Sequence, residues 1–487
     1  MIVRNEERFL GAALASLRDA VDEICIVDTG STDGTLAIAE SFGARVTAAV
    51  WRDDFAWARN QALAMARHAW IFVLDADEEL LAQSRPALAE LRRTRPDGKG
   101  RWIRCHNLTD DIRGDGAASN AIVRIFPNDP KIRYRGAIHE YVAREGEPYA
   151  LHGVMSPVEI VHRGYLGEIL AARGKGERNL RVSRAAYEAD PTDPAHVYNY
   201  ATSLMLAGED VEARKLFELA CAMTEDKPRG FRPAAFLMLA KLQMTAGEPE
   251  TALRSVDRCI AIAPTLSDAH FLRGKLLADR VPSDAEGARA AFRAAIDAGR
   301  YASQQFVVDD EIANWKAANE IAAGLMREER YAEALPWLDA ALTNRPAVQP
   351  MLFNQARCRE MLGDINGALV GYAAAFEVFR DEPSAITYLN FVLRHAGPDV
   401  CLAATETVLP VVGDEYRCAF LTSAAAMMHR AGRRAEAADL VARALAIGDP
   451  AVARSTVTAM AEHFGEPGLL RPVPGLPEQP TVLGAAR

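Results

Sequence analysis

The sequence lacks any run of 18 apolar residues, and its start shows no charged stretch leading into a short apolar core and a small-residue end. Neither a membrane span nor a secretory leader is therefore expected. A surplus of positive charge is also missing: 56 Lys+Arg face 66 Asp+Glu, a net charge of −10. That balance argues against a nucleic-acid-binding surface, which needs a positive field. The seven cysteines are scattered and no C-x-x-C pair occurs. They fit buried free thiols in a reducing compartment, so the expected location is the cytoplasm. What is present is ample core material: 487 residues, 49% hydrophobic, enough for about three domains or for fewer domains and a repeat array.

The most informative point lies at residues 70–79, W-I-F-V-L-D-A-D-E-E, an apolar run ending in two aspartates one residue apart. In a strand, side chains at i and i+2 leave the same face. Asp75 and Asp77 would then sit together at a strand's C-terminal end, where open α/β sheets bind ligands. Two carboxylates so close repel unless a cation intervenes, and a hard divalent ion bridging to a diphosphate resolves the conflict. A related signal lies upstream. Ile24–Val27 runs into Asp28 and then T-G-S-T-D-G-T, with glycines for the turn and capping residues for a helix over 35–42.

Strand and helix runs alternate through the first third, which predicts a mostly parallel sheet. Strands are expected at 45–50, 70–74, 101–107, 121–126 and 158–162, a helix from Asp54 through Ala69, and an exposed loop over the site at 109–120. Met1–Val3 reads as the end of a first strand, with the true start expected upstream. From about residue 166 the pattern becomes helical. Small-residue turns at Gly208, Gly247, Gly363, Gly397 and Gly432 recur at spacings of 39, 34 and 35 residues where they are consecutive. A period near 34 marks tetratricopeptide helix pairs. About seven pairs are expected, irregular between Pro264 and Ala347. A loose tail should follow Gly465, with prolines at 467, 472, 474, 477 and 480. The expected division is 1–165, 166–464 and 465–487.

Taken in order, Val3-Arg4-Asn5-Glu6-Glu7, the 27–35 turn, Ala58-Arg59-Asn60, Asp75-Ala76-Asp77-Glu78, Gly136–Glu140 and His162-Arg163-Gly164-Tyr165 form a specific set covering a third of the chain. In them the chain resembles family-2 glycosyltransferases of the GT-A fold, of the kind fused to C-terminal tetratricopeptide repeats. The resemblance implies an α/β, Rossmann-like GT-A domain followed by an all-α solenoid. It also implies a metal-dependent, inverting transfer of a sugar from a nucleotide-sugar, with a UDP-sugar the expected class, to an acceptor hydroxyl or similar nucleophile.

Roles then follow residue by residue. Asp77 would ligate Mn²⁺ or Mg²⁺, with Asp75 facing the ribose or a metal-bound water. His162 would complete the metal shell, with His139 a lesser candidate. Asp28 would accept a hydrogen bond from the donor's base, Arg59 and Asn60 would meet the nucleotide, and Asn5 and Glu6 would form a nucleoside wall. Glu140 is the expected base that takes the acceptor's proton. Plainer roles stand beside these: a turn cap for Asp28, a surface ion pair for Arg59, a helix start for Asn5 and Glu6, a structural His–Glu pair for His139 and Glu140, and a core residue for His162.

The repeats would dock a protein, peptide or glycan acceptor, or a partner protein. The rival reading is a repeat scaffold that keeps a degenerate, non-catalytic transferase domain. A nucleotidyltransferase is disfavoured because residues 3–7 contain no glycine for a phosphate loop.

Overall fold

The computed structural model describes residues 1–107, 118–147, 150–163, 175–223, 231–280, 282–299, 308–309, 311–447, 450–463 and 465. The expected 109–120 loop falls largely outside them, as do Gly164, Tyr165 and the proline-rich tail after 465. Residues 118–120 are the start of a strand.

The α/β part opens with β1 (Ile2–Val3), α1 (Glu7–Ser16), β2 (Cys25–Asp28), α2 (Thr35–Ser41), β3 (Arg45–Ala48) and α3 (Phe55–Met65). It continues through β4 (Trp70–Phe72), β5 (Glu78–Leu80), α4 (Arg85–Arg92), β6 (Gly100–Asn107), β7 (Ala118–Pro127), β8 (Ile132–Arg135), β9 (Tyr141–Arg144) and β10 (Gly153–His162). Helix α1 buries Phe9, Leu10, Ala13 and Leu14, the predicted face. Asp54 caps α3 by accepting from the Trp57 amide at 2.8 Å. That helix ends four residues earlier than the apolar pattern suggested. The Asn128 amide donates to the carbonyls of Ala66 and His68 (3.1 and 2.9 Å), drawing the chain out of the helix ahead of β4.

Three strands pair in parallel in the order β1-β2-β3. A larger sheet runs β11-β7-β6-β10-β5 with β4 on β7, where β11 is Val308–Asp309. Only β6 and β10 are parallel in it; β4, β6 and β11 all run antiparallel to β7, and β5 antiparallel to β10. The sheet is thus less parallel than the alternation implied. Only ten residues join consecutive β6 and β7, fewer than the dozen or more a parallel crossover needs, so the two strands pair antiparallel. Leu74, Leu88, Ile103, Ile125 and Ile160 form the core beside this sheet, and Val3, Leu10, Leu14, Ile26 and Ala39 a second one under α1 and α2.

The helical part begins with α5 (Lys175–Ala189), α6 (Pro194–Leu206), α7 (Asp210–Ala222), α8 (Phe231–Thr245), α9 (Pro249–Ile262), α10 (Ser267–Ala278) and α11 (Ala285–Gly299). After β11, a π-turn at Ile312–Lys316 leads into α12 (Ala317–Arg327) and α13 (Tyr331–Asn344), which accounts for the irregularity read near Pro264–Ala347. Then come α14 (Gln349–Met361), α15 (Ile365–Phe379), α16 (Glu382–His395), α17 (Pro398–Val408), α18 (Asp414–Arg430), α19 (Arg434–Leu445) and α20 (Pro450–His463). Successive helices pack as pairs, for example α8 on α9 and α10 on α11. Four of the five punctuating glycines adopt φ between 76° and 82°, the left-handed turn that ends a helix without a Cβ clash. Gly397 is the exception: its extended backbone precedes Pro398 and starts α17. Among the described residues no helix is long and apolar enough to cross a membrane.

Compactness divides the chain at Gly324/Leu325 rather than near residue 165. In the first unit β11, from the helical part, adds itself to β7 through Val308↔Ser119 and Asp309↔Ala118. Arg181 of α5 also bonds Asp53 at 2.7 Å, ahead of α3. The second unit has its own core, including Phe376, Leu389, Leu421, Met428 and Val457.

One packing contact is tight enough to test. A Cβ on Gly274 would fall 2.5 Å from the ring of Phe292, which is 2% exposed and has nowhere to go. Gly274→Ala should lower stability by about 1–3 kcal/mol through overpacking, read as a lower urea midpoint with unchanged slope. An unchanged midpoint would show that the α10/α11 contact is looser than described.

Candidate active site

The aspartate pair does not lie in a strand. β4 stops at Phe72, and residues 75–78 form a turn closed by the Glu78 amide donating to the Asp75 carbonyl at 3.1 Å. The i/i+2 argument therefore fails, and the two carboxylates take different partners. Asp75 receives both terminal nitrogens of Arg59 (2.7 and 3.0 Å) and one of Arg124 (2.9 Å). Asp77 faces His162, with Oδ1 3.4 Å from Nε2.

Arg59 is the centre of the first cluster. Alanines on either side let α3 lie close against the sheet, and Arg59 is 8% exposed. Its Nε donates to Glu140 at 2.5 Å while its fork holds Asp75, and its guanidinium lies 5.5 Å from the Tyr134 ring centre. Arg124, from the middle of β7, donates to Asp75 and, at 2.7 Å, to Glu78. Burial works against the charge on Asp75, but Arg124 and Arg59 outweigh it and hold the carboxyl well below its usual range. Glu78, 2% exposed, is pushed up by burial, with Arg124 opposing and Asp75 adding. Burial also raises Tyr134 to about 12.

The second cluster is built at the end of β10. His162 Nδ1 lies 3.1 Å from Asn107 Oδ1, and the Asn107 amide nitrogen donates to Asn120 Oδ1 at 3.2 Å. With the Asn107 oxygen thus set as acceptor, the imidazole proton belongs on Nδ1 and the Nε2 lone pair points toward Asp77. This donor set suits a divalent cation. One carboxylate oxygen and one imidazole nitrogen 3.4 Å apart are close to the roughly 3 Å edge of an octahedron around Mg²⁺ or Mn²⁺. Among the described residues, His139 joins no cluster of metal-capable side chains with Asp77 or His162.

The other expected site residues divide. Asp28, 5% exposed, spends both oxygens on the 30–31 turn, accepting from the amides of Gly30 and Ser31 and from the Ser31 hydroxyl. Asn5, at φ 55°, accepts from the Thr32 amide at 2.8 Å, and the Glu6 amide donates to Thr35 Oγ1 at 2.7 Å. Asn5 and Glu6 thus zip the 3–7 and 28–35 loops together, while Asp28 holds the 28–31 turn. Asn60 pairs with the backbone of Tyr134 in β8, donating to its carbonyl at 3.0 Å and accepting from its amide at 2.9 Å. It braces the site rather than facing it. His139, at φ 51°, leaves the 136–141 loop away from Glu140, and desolvation lowers its imidazole below the usual range. Arg124, Glu78 and Asn107 were not anticipated. The available signal was an arginine inside the apolar run I-V-R-I-F, a position that needs buried acidic partners.

Removing Arg124 strands the buried carboxylate of Glu78 and takes from Asp75 one of its three guanidinium bonds, leaving the two from Arg59. Arg124→Met should cost about 3–5 kcal/mol at neutral pH. Asp75's depressed folded value means its contribution is present above the unfolded value near 4 and lost as pH falls through the folded value. The penalty of the variant should therefore shrink as pH drops below about 4, measured by denaturant titration at several pH values.

Residues 1–108 match the family model described as glycosyl transferase family 2. A TPR repeat-containing protein of Synechococcus elongatus is 34% identical over 52% of this chain and 63% of its own length. The SPbeta prophage-derived glycosyltransferase SunS of Bacillus subtilis is 24% identical over 44% of this chain and 50% of its own length. The chain thus spans between a half and two thirds of these two curated relatives. Among solved structures, the C-terminal part of a TPR repeat-containing protein from Cytophaga hutchinsonii is 15% identical over 59% of this chain and 97% of its own, with a TM-score of 0.38. Residues 1–108 thus match a family-2 glycosyltransferase domain, and the helical part that follows is built of paired helices turning on left-handed glycines, as in tetratricopeptide repeats.

Proposed function

We propose that the protein transfers a sugar from a nucleoside-diphosphate sugar, a UDP-sugar by class, to an acceptor nucleophile with inversion at the anomeric carbon. The observation that carries this reading is the arrangement around the 75–78 turn. Two buried guanidiniums stand beside one aspartate, an aspartate–histidine pair follows two residues later, and a glutamate is held across Arg59.

Each chain residue has a task in this reading. Arg59 and Arg124 offset the carboxylates of Asp75, Glu78 and Glu140, which lowers the repulsion a diphosphate would meet in a setting where water screens little. Asp77 and His162 are the residues that would hold a divalent cation, which supplies charge neutralisation to the departing diphosphate. The 3–7 and 28–35 loops, zipped through Asn5 and Glu6 and with Asp28 holding the 28–31 turn, form the wall expected for the nucleoside. Glu140 is the proposed base: the acceptor oxygen bonds to the anomeric carbon, the bond to the diphosphate breaks with its electron pair, and the acceptor proton passes to Glu140. Its ion pair with Arg59 fixes the carboxylate's direction until the acceptor arrives. The repeats are proposed to receive the acceptor or a partner protein.

A thermal-shift panel of UDP-, GDP- and dTDP-sugars with and without Mn²⁺ tests the class. A shift requiring both nucleotide and metal is expected, lost in Asp77→Ala. No shift with any nucleotide would leave the repeat scaffold as the better account. Glu140→Gln should lower acceptor-dependent turnover by roughly 10²–10⁴-fold while the nucleotide-induced shift persists.

A further inference from the structure

A cavity of about 120 Å³ lies between the 136–141 loop and the first repeat helices, lined among others by Ile138, His139, Tyr141, Asp193, Asn199 and Phe231. Its informative member is Asn199, in the interior of α6. The residue is 8% exposed, and its side-chain amide makes no hydrogen bond with any other part of the described chain. Other amides nearby are satisfied: Asn60 pairs with the Tyr134 backbone, and Asn107 with His162 and Asn120. A buried residue whose amide faces a cavity and has no partner in the described chain leaves its hydrogen bonds to whatever fills that cavity, so Asn199 offers a ligand there a donor and an acceptor.

The chemistry of that partner is narrow. A primary amide offers an acceptor oxygen and donor hydrogens side by side, the complement of one peptide unit. This chain already shows the pairing, since Asn60 meets the Tyr134 backbone with one bond donated and one accepted. An anion would meet the carboxylate of Asp193, which also caps α6 by accepting from the Ala195 amide at 2.8 Å. Ile138 and Phe231 supply apolar wall. The space holds several waters, or a peptide unit with a small side chain.

Position gives the pocket its meaning. His139 and Tyr141 line it, whereas Glu140 between them turns to Arg59. A chain held in the pocket therefore runs alongside the loop that carries the proposed base. We propose that this pocket is a subsite for the main chain of an extended peptide acceptor, in which Asn199 pairs one peptide unit a residue or more away from the residue that accepts the sugar. This rests on the transferase reading above, and Asn199 is a positioning residue in it.

The test uses the full chain, Mn²⁺, labelled nucleotide-sugars and a synthetic pool of hexapeptides with Ser, Thr or Cys at a fixed position and the other positions randomised. Label should enter peptides, and for a labelled peptide Asn199→Leu should raise KM roughly tenfold or more with kcat changed little. N-methylation of the paired peptide unit should cost the wild type a similar factor and the variant almost nothing. Asn199→Leu should also leave the melting temperature unchanged or higher, because no hydrogen bond to the described chain is lost. A fall in melting temperature would reveal an internal partner and overturn the proposal, as would an unchanged KM. Donor hydrolysis without peptide labelling, or labelling of a glycan instead, would overturn the subsite and leave the transferase reading standing. Absence of donor hydrolysis as well would sink both.

Discussion

A guanidinium that cannot leave is the constraint around which the candidate site is arranged. Arg59 is carried into the interior by a helix that buries Ala56, Ala58 and Ala62 beside it, and once there it must be surrounded by negative charge. Asp75 answers from the turn after β4, Glu140 from the loop before β9, and Tyr134 presents its ring from β8. Three separate stretches of chain are thereby fixed to one point. Arg124 repeats the arrangement from the sheet side, tying β7 to the same turn through Asp75 and Glu78. With desolvation opposing every one of these charges, the cluster is stable only as a whole, and substitution of any member exposes the others to that cost.

The same arrangement relates the two sides of the chemistry. One residue touches a carboxylate of the 75–78 turn and also the carboxylate assigned to the acceptor proton. A diphosphate that competes for Arg59 would loosen its hold on Asp75, Glu140 or both. In the proposed reaction, donor arrival and the freeing of the base would then be coupled through one side chain. Asp77 and His162 face each other beside this network, with Asn107 bracing the imidazole and Glu78 close to it.

Much of this could be read in the residues. The order of an α/β part followed by paired helices was legible because hydrophobic period and turn glycines are local signals, and Gly208, Gly247, Gly363 and Gly432 behave as their spacing implied. The pairing of Arg59 with Asp75 and Glu140 was not legible, since it depends on which residues the turns bring within 3 Å, at sequence separations of 16 and 81. The D-A-D spacing misled about geometry because a strand was assumed to continue through Leu74, whereas Glu78 folds the chain back onto Asp75. Asn60 appeared to be a ligand residue from its position beside Arg59, yet successive helix positions point about 100° apart, and it meets β8 instead. Arg124 was visible only as an anomaly in an apolar strand.

The two-residue strand β11 has a consequence of its own. It belongs to the connection between α11 and α12, yet its hydrogen bonds complete the edge of the sheet at β7, the strand that also carries Arg124. An enzyme fragment cut where the strand pattern ends would leave a bare sheet edge open to foreign chains. The first compact unit therefore reaches to Gly324, and the α/β part and the first repeats belong to one body.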